Sequence, residues 1–176
     1  GLILRGDTRN YLDYSAGLEI VNDVDTSNTV NGKPIYYWHN RSNERVPSDA
    51  GYVWLNNCNN ITIEGCNLSN NLQGILLLET SNTSILNNNI TSNAYGIYVG
   101  AFSSNNTLIG NTLEDNLNGI YLGDYSRLTT MRNNNITGGH MNFGLPPRMP
   151  QFLNASDLVN DIDMSNTVDG KPIVYW

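Results

Sequence analysis

The sequence predicts an all-β chain: a right-handed, single-stranded parallel β-helix of about seven to eight coils, 22–23 residues to the coil. Three observations predict it. Apolar residues recur in fixed columns at a period of 22–23 residues. The segments that carry them are short, alternate apolar with polar, and are broken by Asn and Gly, as strands and turns are. The chain also holds 30 asparagines and 16 glycines against only 9 Lys and Arg, a turn-rich composition far from the average protein.

The columns define each coil. Val53, Ile75, Ile97 and Ile120 form one, and Leu55, Leu77, Val99 and Leu122 a second, in steps of 22, 22 and 23. Ile63, Ile85, Leu108 and Met131 form the third, and Leu68, Ile90, Leu113 and Ile136 the fourth. A single coil cannot bury its own apolar face, so stacking at about 4.8 Å per coil creates the core. A strand-plus-helix solenoid would need helical spacing, which is absent. Cys66, Asn88, Asn111 and Asn134 form a further column, with Asn67, Asn89, Thr112 and Asn135 beside it. Asn tolerates left-handed turn conformations, and its amide can bond its counterpart in the next coil. Asn88, Asn111 and Asn134 are therefore expected to form a structural ladder, with Cys66 replacing Asn in it.

A longer repeat is superposed. The segment 21–38 returns as 159–176, with the shared pattern Asn-Asp-x-Asp-x-Ser-Asn-Thr-Val-x-Gly-Lys-Pro-Ile-x-Tyr-Trp. The offset, Asn28 to Asn166, is six whole coil periods, so the duplication keeps the coil register. The chain 1–176 is read as one module of a longer tandem array. Its ends carry no evident cap, and the run into Trp176 is strand-like. The segments 39–50 and 140–157 are expected to leave the coil as loops; Pro146, Pro147 and Pro150 mark the second.

The run Asn-Thr-Val-Asn-Gly-Lys-Pro-Ile-Tyr-Tyr-Trp at 28–38, then Val-Pro-Ser-Asp-Ala-Gly-Tyr-Val at 46–53, then the Gly-Ile-Tyr coils, resembles the NosD-like parallel β-helix repeat family from about residue 18 to 176. The resemblance implies an exported protein, and the family is often labelled copper-binding. Similar repeats fill large archaeal cell-surface proteins and border on carbohydrate-binding and sugar-hydrolase β-helices. The tandem arrangement is more similar to the archaeal surface type.

The residues themselves exclude several functions. A formal net charge of −7 with no basic stripe argues against a nucleic-acid partner. The longest apolar run, Ile75–Leu78, is far short of a membrane span. Copper wants clustered imidazoles or soft sulfur. The chain has only His39 and His140, its Met131 falls in a core column, and Cys58 and Cys66 flank a strand, which separates them. Calcium is the one metal with candidate ligands: Asp23 and Asp25, repeated as Asp161 and Asp163, resemble the opening of a calcium loop. The Gly and Glu of an EF-hand are missing, and turn capping by Asp explains the same pattern. Glu79, Glu114, Asp115 and Asp124 are acids without a column of paired partners, and no nucleophile triad exists. The chain is therefore read as no enzyme and as holding no cofactor beyond that calcium.

Two surface features remain. With Val53 and Leu55 inside, Trp54 points outward, and Tyr98 and Tyr121 follow above it with Phe102 and Tyr125 nearby. This column is read as an exposed face for glycans or protein contact. Among eight Asn-x-Ser/Thr sequons, Asn40 and Asn154 lie in irregular stretches and are the better glycosylation acceptors, while Asn67, Asn89 and Asn135 are expected to be taken up by their column. The function expected from these features is an extracellular structural module of a surface layer, sheath or fibre, stacking head to tail on itself. A carbohydrate-binding module and a polysaccharide-cleaving enzyme are the alternatives.

Overall fold

A computed structural model describes residues 22–100, 102–123, 126–145 and 159–175. Its strands stack into three sheets, parallel apart from one terminal strand in the first and one in the third, that wrap one core. The first sheet holds β1 (Thr29–Val30), β2 (Lys33–His39), β4 (Tyr52–Asn56), β7 (Gln73–Leu78), β10 (Tyr95–Val99), β13 (Asn118–Leu122) and β16 (Met141–Gly144), in that spatial order. The second holds β3 (Arg45–Val46), β5 (Thr62–Glu64), β8 (Ser84–Leu86), β11 (Thr107–Ile109), β14 (Thr130–Arg132) and β17 (Asp161–Ile162). The third runs β6 (Asn67–Ser69), β9 (Asn89–Thr91), β12 (Thr112–Glu114), β15 (Asn135–Thr137), β18 (Thr167–Val168) and β19 (Lys171–Pro172). The chain visits the three sheets in turn and then climbs one strand spacing, which makes a parallel β-helix.

The register is the one that the columns require. Val53 lies beside Ile75, Ile75 beside Ile97, and Ile97 beside Ile120. Ile63, Ile85, Leu108 and Met131 align in the second sheet, and Leu68, Ile90, Leu113 and Ile136 in the third. All sixteen core-column side chains are buried, at 0–1% exposure. Each coil leans closely on the next where its first-sheet strand begins. A Cβ on Gly96 would sit 2.6 Å from Leu113 Cδ2 and 2.7 Å from the Gly119 carbonyl oxygen, so the Gly of the Gly-Ile-Tyr motif is a packing requirement.

Corners explain the asparagines. Each coil turns at residues with positive φ, and these recur in columns: Gly65, Asn87, Gly110, Asn133; Asn70, Ser92, Asp115, Gly138; Asn60, Asn82, Asn105, Leu128; and Asn57, Glu79, Phe102. Left-handed backbone is costly for most side chains and cheap for Gly and Asn, so ten of the sixteen described non-glycine residues in that region are Asn.

Several expectations are corrected. Four coils are uninterrupted, from β4–β5–β6 to β13–β14–β15. The two-stranded pair β2–β3 precedes them, and β16, β17 and β18 stack on their far end. Among the described residues the count is thus below seven to eight, because dividing length by period counts every residue as coil. Trp38 and Leu55, neighbours in the sheet, stand less than one period apart in the chain. The segment 39–50 is no loop: β3 pairs with β5, and Ser42 bridges to Asn59. Of 140–157, Met141–Gly144 is a strand paired with β13, while 146–157 lie outside the described residues.

Among the described residues, one sheet at each end carries an antiparallel strand. β1 pairs antiparallel with β2, and β19 antiparallel with β18. The turns are Asn31-Gly32 (φ 52° and 73°) and Asp169-Gly170 (φ 47° and 73°). Two successive left-handed residues make the tight hairpin for which Asn-Gly and Asp-Gly are the strongest sequence signal. The duplicated segments therefore form hairpins, one in the first sheet and one in the third, and Ile173 and Tyr175 pack against the core beside the second.

Ile97→Ala removes a fully buried side chain from the middle of the stack and is expected to lower stability by about 2–5 kcal/mol. Urea unfolding followed by circular dichroism measures it; a loss under about 1 kcal/mol contradicts the register.

Candidate functional site

The asparagine column is a continuous chain of amides along the corner between the second and third sheets. Asn88 Nδ2 donates to Asn111 Oδ1 at 3.0 Å, Asn111 Nδ2 to Asn134 Oδ1 at 2.9 Å, and Asn134 Nδ2 to Asn166 Oδ1 at 2.8 Å. Each Oδ1 also accepts the backbone N–H of the preceding coil, beginning with Cys66 N–H onto Asn88 Oδ1. The second proton on each Nδ2 goes to a strand carbonyl one coil back: Ile63, Ile85, Leu108 and Met131 in order. The polar atoms of these buried amides are used on both sides, which is what burial demands.

A second amide column stands at the next corner, where Asn71 N–H and Asn93 N–H donate to the side chains of Asn93 and Asn116. A hydroxyl column, Thr80 and Ser103, serves Cys58 and Thr80 in the same way. The sequence carried a signal for the second column: a left-handed residue (Asn70, Ser92, Asp115) followed directly by the inward Asn.

Asp25 and Asp163 are turn caps. Asp25 Oδ1 accepts from Ser27 N–H at 3.0 Å and from Asn28 Nδ2 at 3.2 Å; Asp163 Oδ1 accepts from Ser165 N–H at 3.0 Å and from Asn166 Nδ2 at 3.3 Å. The serine hydroxyls donate to the same oxygens. These bonds, the Ser hydroxyl's first, hold both carboxyls below the usual carboxylate range. At the far end a cation is already supplied: Arg132 Nη2 donates to Asp161 Oδ2 at 2.5 Å, and Arg132 Nε lies 3.1 Å from Asp163 Oδ2. Asp23 is exposed. The guanidinium supplies the counter-charge to both Asp161 and Asp163. At the first hairpin, Asn31 Nδ2 and Lys33 Nζ donate to the carbonyls of Ser69 and Asn67, the edge of β6 that the two-stranded first coil leaves uncovered.

The aromatic column is outward, as alternation requires, but it is not exposed. Trp54 is 1% exposed and Tyr98 9%. They belong to a second apolar cluster on the outer face of the first sheet, with Val30, Ile35, Tyr37, Tyr52 and Leu76. Tyr37 meets Trp54 edge-on at 4.9 Å, and Tyr98 stacks on half-buried Tyr121 at 5.2 Å. Strand alternation tells which face a side chain takes, not whether that face is covered. Phe102 is 51% exposed and sits at a left-handed corner. Tyr125 and Asn154 lie outside the described residues. Asn40 is exposed at a left-handed corner and accepts from Asn57 Nδ2. Asn67, Asn89 and Asn135 are exposed on the outer side of the third sheet yet bonded along their column, Asn89 Nδ2 donating to Asn67 Oδ1 at 3.4 Å and Thr167 Oγ1 to Asn135 Oδ1 at 3.0 Å.

A family model described as "Periplasmic copper-binding protein (NosD)" matches residues 4–156, well over half of the sequence. The chain belongs to the NosD family. No curated protein matches it, and neither does any solved structure.

Among the described residues of this NosD-family chain, no donors converge on a site for the copper in the family's description. Cys58 and Cys66 are buried in different corner columns, and burial raises both thiols, Cys66 to about 11, which keeps them protonated. His39 ends β2 and His140 precedes β16, five strand spacings or about 24 Å apart. Met131 is buried in the core. Among the described residues no three His, Cys, Asp or Glu side chains converge as a metal site requires.

Asn111→Leu would strand the amides it now serves, including the N–H and Nδ2 of Asn88, and is expected to cost about 1–3 kcal/mol for each buried group left unpaired. Asn118→Ala, on the half-buried start of β13, is expected to cost less than half as much. Equal losses in urea unfolding would contradict the ladder's structural role.

Proposed function

We propose that the chain is a structural rod module on the outer side of the cytoplasmic membrane, placed in a fibre, sheath or surface layer of the cell envelope. The observation that carries this reading is the duplication. The segment at 21–38 returns after six coil periods, and both copies build the same Asp-capped turn and antiparallel hairpin. A motif repeated at a whole number of coils suits a protein that extends by adding modules in register. The family's periplasmic description supports an envelope location, and no helix among the described residues is long and apolar enough to cross a membrane.

The acids support a scaffold rather than a catalyst. Glu79 and Asp115 are left-handed corner residues, and Glu114 faces solvent from β12. Asp124 lies outside the described residues. Burial of Trp54 and Tyr98 favours packing over sugar stacking at those two rings.

Electron microscopy of native envelope material, labelled with antibody to the chain, tests the reading. Rods or sheets with a repeat of about 4.8 Å along the axis, and a longer one of about 29 Å for six coils, are expected. Isolated particles lacking an axial repeat would contradict it.

A further inference from the structure

The two copies of the duplicated segment are identical at 14 of 18 positions, yet they sit differently. The second copy occupies a berth on the last coil. β17 pairs with β14, and β18 with β15. Arg132 takes Asp161 and Asp163. Asn133 N–H donates to Ser165 Oγ, Asn134 Nδ2 to Asn166 Oδ1, and Thr167 Oγ1 to Asn135 Oδ1. Val168, Ile173 and Tyr175 face the core.

The first copy keeps all of these groups. Its Asp23, Asp25, Ser27, Asn28, Thr29, Val30, Ile35 and Tyr37 stand at the same places. Asp23 and Asp25 have no cation partner among the described residues: the Arg ion pairs found there go to Glu44, Glu64, Asp161 and Asp163. The apolar side of the first copy, Val24, Val30, Ile35 and Tyr37, is the side that its twin turns to the core, but here it joins the outer cluster. The side chains that the berth reads are thus retained at a place where the berth is absent.

We infer that the berth around Arg132 accepts the first copy of the segment from a second molecule of this chain. The stretch 22–30 of one molecule takes the position of 160–168 on the last coil of another, so that Asp23 and Asp25 receive Arg132 and Asn28 receives the amide of Asn134. The segment that the incomer displaces is its own near-twin, so contacts are exchanged like for like. The junction is heterologous and repeats head to tail, which builds an open filament in coil register. A hairpin is then a cap on a terminal molecule and a joint within a filament. The inference rests on the reading of the chain as a rod-building module and adds the partner and the contact.

A disulfide trap tests it. Thr130 is the strand neighbour of Asp161, so Thr130→Cys with Asp23→Cys links two molecules only if residue 23 of one lies in the berth of the other. Neighbouring strand positions fall within disulfide reach. Thr130→Cys with Asp161→Cys is the control that closes within one chain. Both variants are refolded at high concentration, mildly oxidised and run on a non-reducing gel. A ladder of covalent multimers from the first pair, growing with concentration, is expected. Monomer alone from the first pair, with the control pair fully closed, overturns the exchange. Rods in envelope material without that ladder would leave the module reading standing and remove this one.

Discussion

The constraint on which everything else depends is the stacking of identical corners at one strand spacing. Within a parallel stack, whatever a corner does with its backbone must be done again about 4.8 Å above. Buried turns leave N–H and C=O groups without ladder partners, and such groups are costly to leave unmade. The chain solves the problem once and repeats the solution. A left-handed residue makes the bend, and the next residue turns an amide or hydroxyl inward to bond the coils on either side. Asn87-Asn88, Gly110-Asn111 and Asn133-Asn134 are three copies of that device. The apolar columns can pack only because the corners are satisfied, since a core this narrow is bounded by turns on every side.

The same logic governs the ends. A stack of parallel strands exposes a row of unpaired groups at each end, and natural proteins cover such edges. Here the duplicated motif covers one sheet edge at each end. Asn31-Gly32 and Asp169-Gly170 reverse the chain into antiparallel pairs, and Asp25 and Asp163 hold the preceding turns. Lys33 reaches past the short first coil to a carbonyl of β6. The hairpin suits both terminating a rod and marking where a module begins.

Much of this was legible in the sequence because a solenoid writes its contacts as a period. The four core columns and the Cys66–Asn134 column follow from the coil period alone. What was not legible has physical causes. Trp54 and Tyr98 alternate outward correctly, but only the packing of Tyr37, Tyr52 and Leu76 around them shows that the outer face is buried. The first coil escaped because it is short, so β3 sits where the period places nothing. Asn31-Gly32 and Asp169-Gly170 announce the hairpins by turn chemistry, whereas the coil period alone reads the whole motif as ordinary coil. Cysteine was the clearest case of column reasoning succeeding where motif reasoning fails: Cys66 replaces an amide in a buried column, and its neighbours, not its spacing from Cys58, explain it.

Native-state hydrogen exchange, resolved by residue, tests the corner device most directly. If the amide columns are the constraint that holds the stack, the backbone N–H groups of Cys66, Asn88 and Asn111, each bonded to a side chain one coil away, exchange only through global unfolding, as slowly as the strand amides of Ile97 and Val99. Exchange at these corner positions orders of magnitude faster than in the strands would show that the corners open independently and would contradict the account.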